Sequence, residues 1–118
     1  MQGATPPSRL TAASLGLAAA FAMIAPGPAA AAGDPAAGRE KAVACRPCHG
    51  LDGLSRQPDA PSIAGQVELY LGQQLADYRS GKRQHPVMGV IAGGLSDQDI
   101  ADLAAWYAAI KVTAEPPE

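Results

Sequence analysis

Both cysteines of the 118-residue chain and one of its two histidines sit in a single pentapeptide, Cys45-Arg46-Pro47-Cys48-His49. No other feature constrains the fold as strongly. Residues three apart on a helical turn lie on the same side. Cys45 and Cys48 can therefore reach two points on one edge of a flat macrocycle, and the imidazole that follows can address its centre from one face. C-x-x-C-H is the attachment pattern of c-type haem, with one thioether from each cysteine.

Three other chemistries use similar residues. A thioredoxin-like dithiol belongs near a βαβ pattern, and none is present. A structural zinc site needs about four ligands, commonly two such pairs. Beyond residue 32 the chain offers only Cys45, Cys48, His49 and His85 of the histidine and cysteine type. Adjacent Cys48 and His49 are awkward partners in one tetrahedron. A disulfide would strain so short a loop and has no use for the histidine.

The N-terminal third reads as a targeting segment. Arg9 is its one charge, Leu10 to Ala25 is uncharged and apolar, Pro26 to Pro28 breaks any helix, and Ala29 to Ala32 supplies small residues. Charge, apolar core and small-residue site in that order describe a secretory signal. The apolar run is short of the roughly 20 residues that span a bilayer. The expected division is a signal peptide over 1–32 and a domain over 33–118, exported to the periplasm, where c-type haem is attached. An uncleaved N-terminal anchor is the other reading.

The formal net charge is −2, and loss of Arg9 with a signal makes the remainder more acidic. An acidic domain lacks the strongly basic face that nucleic acid requires. Residues 33–118 contain nothing long and apolar enough to cross a bilayer, so a soluble domain is expected. A domain of this size has a marginal core and often recruits a disulfide, a metal or a cofactor. Here alanine and glycine are many and large aliphatics few, which leaves room for something other than side chains in the middle.

Sparse β-branched and aromatic residues argue against strands, so the fold class is all-α. Three main helices are expected. The first spans about 35–44, with Asp34 as N-cap and Pro35 at the first helical position. The second spans about 67–80, with Val67, Leu71, Leu75 and Tyr78 on one face and Gly81 as its stop. The third spans about 97–110, where Ser96 and Asp99 form a capping signature and Ile100, Leu103, Ala104, Tyr107 and Ile110 form the apolar stripe. Between them, 50–66 and 84–95 are rich in glycine and proline and read as long loops wrapped around something.

A haem held by His49 has a second axial face. Met88 is the one methionine beyond residue 32. It lies in HPVMGVIAGG, and a His/Met pair is a recognised haem ligation. Met88 is the favoured distal ligand, against the plainer reading of a core filler. His85 is the other candidate, otherwise a solvated loop residue or one near the haem edge.

These segments together resemble a class I cytochrome c, in particular one domain of the bacterial cytochromes c4 and c553. GDPAAGREKAVACRPCHGLDG resembles that family's first helix and haem loop, APSIAGQ its proline segment, and VELYLGQQLADYRSGKR its middle helix. VMGVIAGGLSDQDIADLAAWYAAI resembles its methionine loop and C-terminal helix. The resemblance implies a small cytochrome c fold of three main helices and loops around one covalent haem c. It implies thioethers from Cys45 and Cys48, His49 as proximal ligand and Met88 as distal ligand. It implies that the Pro61 carbonyl accepts a hydrogen bond from the His49 Nδ1–H, which fixes the ring. Gly38 would lie where first and last helices cross, Leu103 and Trp106 would face that crossing, and Tyr107 would point toward the haem.

The implied function is one-electron transfer rather than enzymatic turnover, since filled axial positions leave no site for substrate. Partners would be redox proteins, such as a respiratory complex, a terminal oxidase or a dehydrogenase, met as a monomer in transient complexes. Cytochromes c4 carry two such domains, whereas this chain has one C-x-x-C-H, so transfer between two haems within it is not expected. The alternatives are a haem subunit of a periplasmic dehydrogenase, a haem enzyme or sensor if Met88 is not on the iron, and a dithiol oxidoreductase without haem. Arg79, Lys82 and Arg83 form a basic cluster near Met88, read either as a partner-facing edge or as a helix end steadied by its dipole.

Overall fold

The computed structural model describes residues 31–118, together with Met1 and Gly3. The apolar run at 10–25 and most of the expected signal peptide lie outside the described residues. Among the described residues there is no strand and no helix long and apolar enough to cross a membrane. The order is α1 (Pro35–Lys41), a 3-10 turn (Ala42–Ala44), α2 (Arg46–His49), α3 (Glu68–Ser80), α4 (Pro86–Gly93) and α5 (Asp97–Ala109). All-α architecture follows as expected, and the three main helices fall within a few residues of their expected limits.

Local chemistry sets the helix ends. The Asp34 side chain accepts the Ala36 N–H at 2.9 Å, and Pro35 opens α1 without wasting a donor. Ser96 and Asp99 form a reciprocal capping box on α5, with Asp99 N–H on the Ser96 hydroxyl and Ser96 N–H on the Asp99 carboxylate. Gly81 closes α3 at φ 79°, a left-handed position that disfavours any side chain.

The segment expected as a loop at 84–95 is largely helical. Pro86 starts α4 at its first position, and His85 caps it through Nδ1, which accepts the N–H groups of Val87 and Met88, each at 3.3 Å. The prolines and glycines that suggested a loop bound a two-turn helix instead. Met88 therefore projects from a helix, and His85 is a cap rather than a free loop residue.

α5 is the axis of the packing. α1 and α3 both pack on it, and α4 packs on α3. Gly38 makes the crossing possible, because a Cβ there would run into the Asp102 backbone and the Trp106 Cβ. Leu71, Leu103, Ala104, Tyr107 and Ala42 form the centre, with Cys45, Leu51, Ile63, Leu75 and Trp106 packed around it. Among the described residues no large side chain is completely buried. The interior is made of small residues and partly covered large ones, as the composition implied.

One polar clasp was not foreseen. Asp102 is 3% exposed in the middle of α5. Its carboxylate accepts the Asp34 N–H at 2.8 Å, the Lys41 ammonium at 2.6 Å and the Gln98 amide at 2.8 Å. Lys41 also reaches Asp99 at 2.7 Å. Both ends of α1 are thus pinned to α5 by one buried carboxylate whose lone pairs are satisfied.

Candidate functional site

The attachment turn is built by short-range bonds. The Cys45 carbonyl accepts the N–H groups of Cys48 at 3.3 Å and His49 at 3.0 Å, and Gly50 N–H closes the turn on Arg46 at 3.0 Å. Pro47 lies in the first turn of α2, where its missing N–H costs nothing. Gly50 then leaves the helix at φ 76°. Cys45 is half-buried and Cys48 exposed, and the two are not joined in a disulfide. Burial raises the Cys45 pKa, with Tyr107 alongside opposing it.

His49 is oriented from outside the turn. Its Nδ1 lies 2.9 Å from the Pro61 carbonyl oxygen, which can only accept, so Nδ1 carries the proton. The lone pair is thereby left on Nε2, free to bind a metal. Pro61 reaches His49 because the intervening loop doubles back. Ile63 and Ala64 donate to the Gly53 carbonyl at 2.8 and 3.1 Å.

Side chains hold the rest of the loop by its carbonyls. The Ser55 hydroxyl donates to Cys48 at 2.8 Å, the Tyr107 hydroxyl to Gly50 at 3.1 Å and the Trp106 indole to Leu51 at 3.1 Å. Burial pushes the Tyr107 pKa strongly up, so the phenol stays a donor. Trp106 faces the Gly38 crossing with its Cβ and the loop with its nitrogen. Leu103 and Trp106 had been expected at that crossing and Tyr107 toward the haem. The hydrogen bonds of Trp106 and Tyr107 to the attachment loop were not expected. The signal for them was present in the adjacency of two polar-tipped aromatics on an apolar stripe, since a buried Tyr or Trp seeks a partner.

Cys45, Cys48, His49 and Pro61 are thus gathered on one turn and its return loop. Met88 is carried separately on α4, half-buried, and α4 is joined to the body through α3. Among the described residues no three histidine, cysteine or acidic side chains cluster as a metal site. The donor set fits a covalently tethered haem: two cysteines one turn apart, and an imidazole with its proton committed elsewhere. Leu54, Tyr70, Val87 and Ile91 are exposed large hydrophobic side chains on the loop, α3 and α4.

Comparison with known proteins decides the family. Residues 35–110, more than half of the chain, match the cytochrome c family. The chain belongs to the cytochrome c family. Cytochrome c4 of Pseudomonas aeruginosa is 49% identical over 87 residues, covering 74% of this chain and 43% of that protein. Cytochrome c-554(548) of Halomonas halodenitrificans is 46% identical over 79 residues, covering 64% of this chain and 95% of that protein. The crystal structure of reduced recombinant cytochrome c4 from Pseudomonas stutzeri superposes with a TM-score of 0.64 at 40% identity, over 68% of this chain and 47% of that one. The chain thus spans less than half the length of these cytochromes c4 and matches nearly all of the shorter c-554(548). Its helices form the cytochrome c fold, and membership implies covalent haem c on Cys45 and Cys48.

Proposed function

We propose that the protein is a one-electron carrier of the periplasm, with residues 1–32 as its export signal and residues 33–118 as its haem domain. His49 and Met88 are the residues that would hold the haem iron. The observation that carries this reading is the His49–Pro61 contact of 2.9 Å on the attachment turn. A histidine placed only for packing has no need of a fixed tautomer. One placed to ligate needs its Nδ1 proton committed and its Nε2 free, and a carbonyl partner also makes the ring a better donor.

Haem c supplies reversible Fe(II)/Fe(III) exchange when bound. Cys45 and Cys48 tether it, so it cannot be lost if the His49 bond breaks. Met88 offers a soft thioether, which favours the reduced metal and raises the potential. Tyr107, Trp106 and Ser55 hold the loop carbonyls and keep His49 in register. His49 and Met88 would together hold the haem iron and leave it no place for substrate, which suits a carrier rather than an enzyme. Its donors and acceptors are redox proteins, a respiratory complex, oxidase or dehydrogenase among them.

The test is Met88→Ala in protein matured with a bacterial haem-attachment system. Haem should stay covalently attached while the reduction potential falls. An unchanged potential with a persistent low-spin ferrous spectrum would falsify Met88 as ligand.

A further inference from the structure

The cations of this domain are not equally available. Lys41 is engaged by Asp99 and Asp102, Arg79 by Asp97 at 2.6 Å and Lys82 by Asp77 at 3.5 Å. Arg83 donates to Gln74 at 2.6 Å and lies over the Tyr78 ring at 4.6 Å. In the Arg79, Lys82 and Arg83 cluster, a candidate partner-facing edge in the sequence, both arginines are thus engaged by their own helix and by the start of α5, and Lys82 keeps only its looser contact to Asp77.

A different set of cations converges elsewhere. Arg39, Arg46 and Arg56 line one shallow surface depression with Leu51, Asp52 and Trp106. They come from α1, from the attachment turn itself and from the loop after it. All three are exposed. Among the described residues Arg39 and Arg46 make no salt bridge, and Arg56 makes only loose contacts within its own loop, 3.4 Å to the Asp52 carboxylate and 3.5 Å to the Leu54 carbonyl oxygen. Asp52 is occupied within the loop, accepting the Leu54 N–H at 3.1 Å. Arg39 lies 6.0 Å from the centroid of the Trp106 ring, within cation–π range, and Trp106 is anchored by its bond to Leu51. The floor is a fixed aromatic with a half-buried leucine, and the rim is arginine.

We infer that this depression is a docking surface for an acidic face on a redox partner protein. The inference rests on the electron-carrier reading. Arginine and tryptophan around a small apolar centre are the residues that dominate protein interfaces. Guanidinium groups pair with carboxylates in fixed forked geometry. The chain is net acidic, so a local excess of uncommitted positive charge gives an approaching partner a preferred orientation. Arg46 stands between Cys45 and Cys48, so a partner held here is held beside the haem tether. An open depression with exposed side chains suits a protein surface better than a small anion, which binds where it can be enclosed.

The experiment uses reduced, diamagnetic, isotope-labelled holoprotein and a synthetic hexaglutamate peptide as probe, followed by NMR. The Trp106 indole N–H and the Arg39, Arg46 and Arg56 signals should shift together and should lose their shifts at high salt. Arg39→Glu with Arg56→Glu should weaken peptide binding by roughly tenfold or more. Arg39→Gln with Arg56→Gln supplies the milder variant should charge reversal impair folding. Shifts centred on Arg79 to Arg83, or no shifts, would overturn the inference. So would inorganic phosphate saturating the same signals as tightly as the peptide, since that marks a small-anion site. A normal visible spectrum and potential in the variants leaves the electron-carrier reading standing whichever way docking falls.

Discussion

The Nδ1 of His49 meets the Pro61 carbonyl at 2.9 Å, across a loop that doubles back between them. A backbone acceptor cannot be deleted by side-chain substitution, but it can be loosened. Proline fixes its own φ and restricts the residue before it, whereas glycine frees both. Pro61→Gly should keep covalent haem and raise the reduction potential, because a less firmly hydrogen-bonded imidazole is a poorer donor and stabilises the oxidised metal less. Redox titration checks this, and an unchanged potential means that Pro61 is only a turn proline.

Gly38 tests the crossing of α1 and α5. A methyl group there would collide with backbone of Asp102, which cannot swing aside as a flexible side chain could. Gly38→Ala should cost about 1–3 kcal/mol, in the range of core overpacking. Gly81→Ala meets no atom, and its cost should be limited to the left-handed backbone, about 1 kcal/mol. Guanidinium unfolding of the holoproteins should rank Gly38→Ala as the more damaging, and the reverse order contradicts the packing described.

The Asp102 clasp predicts an acid-sensitive contribution to stability. The Asp34 N–H first, then Lys41 and Gln98, hold the Asp102 carboxyl at about 2, below its ordinary 3.8. Lys41 and then Ser96 push Asp99 down as well. A lowered folded-state value means that the unfolded chain takes up protons first as pH falls. The contribution is therefore complete above the unfolded value of 3.8 and disappears as pH drops through about 2. Asp102→Asn should lower stability at neutral pH and narrow its deficit against the wild type toward acid. Denaturant midpoints at a series of pH values check this, and a deficit independent of pH contradicts it.

Much of this was legible in the sequence where a signal is local. The Ser96–Asp99 box, the Asp34–Pro35 start and the Gly81 stop each act within a few residues, and the attachment motif carries its own geometry. α4 is hidden in the sequence because proline and glycines also form loops, although Pro86 at a first helical position is equally a start signal. His85 lies outside the usual capping residues, so nothing marked it. Asp102 was invisible for another reason. Its donors come from Asp34, Lys41 and Gln98, and two of those three are brought to it only by the folded crossing. The arginine depression likewise joins residues far apart in sequence, whereas the cluster at 79–83 is visible as a run of cations although its two arginines are paired internally.

The most direct test of the central claim is to expose the reduced holoprotein to carbon monoxide and record its visible spectrum. If His49 and Met88 fill both axial positions, the c-type spectrum should be indifferent to the gas. Ready formation of a carbon monoxide complex in the wild-type protein would mean an open iron, and would contradict the electron carrier in favour of a sensor or an enzyme.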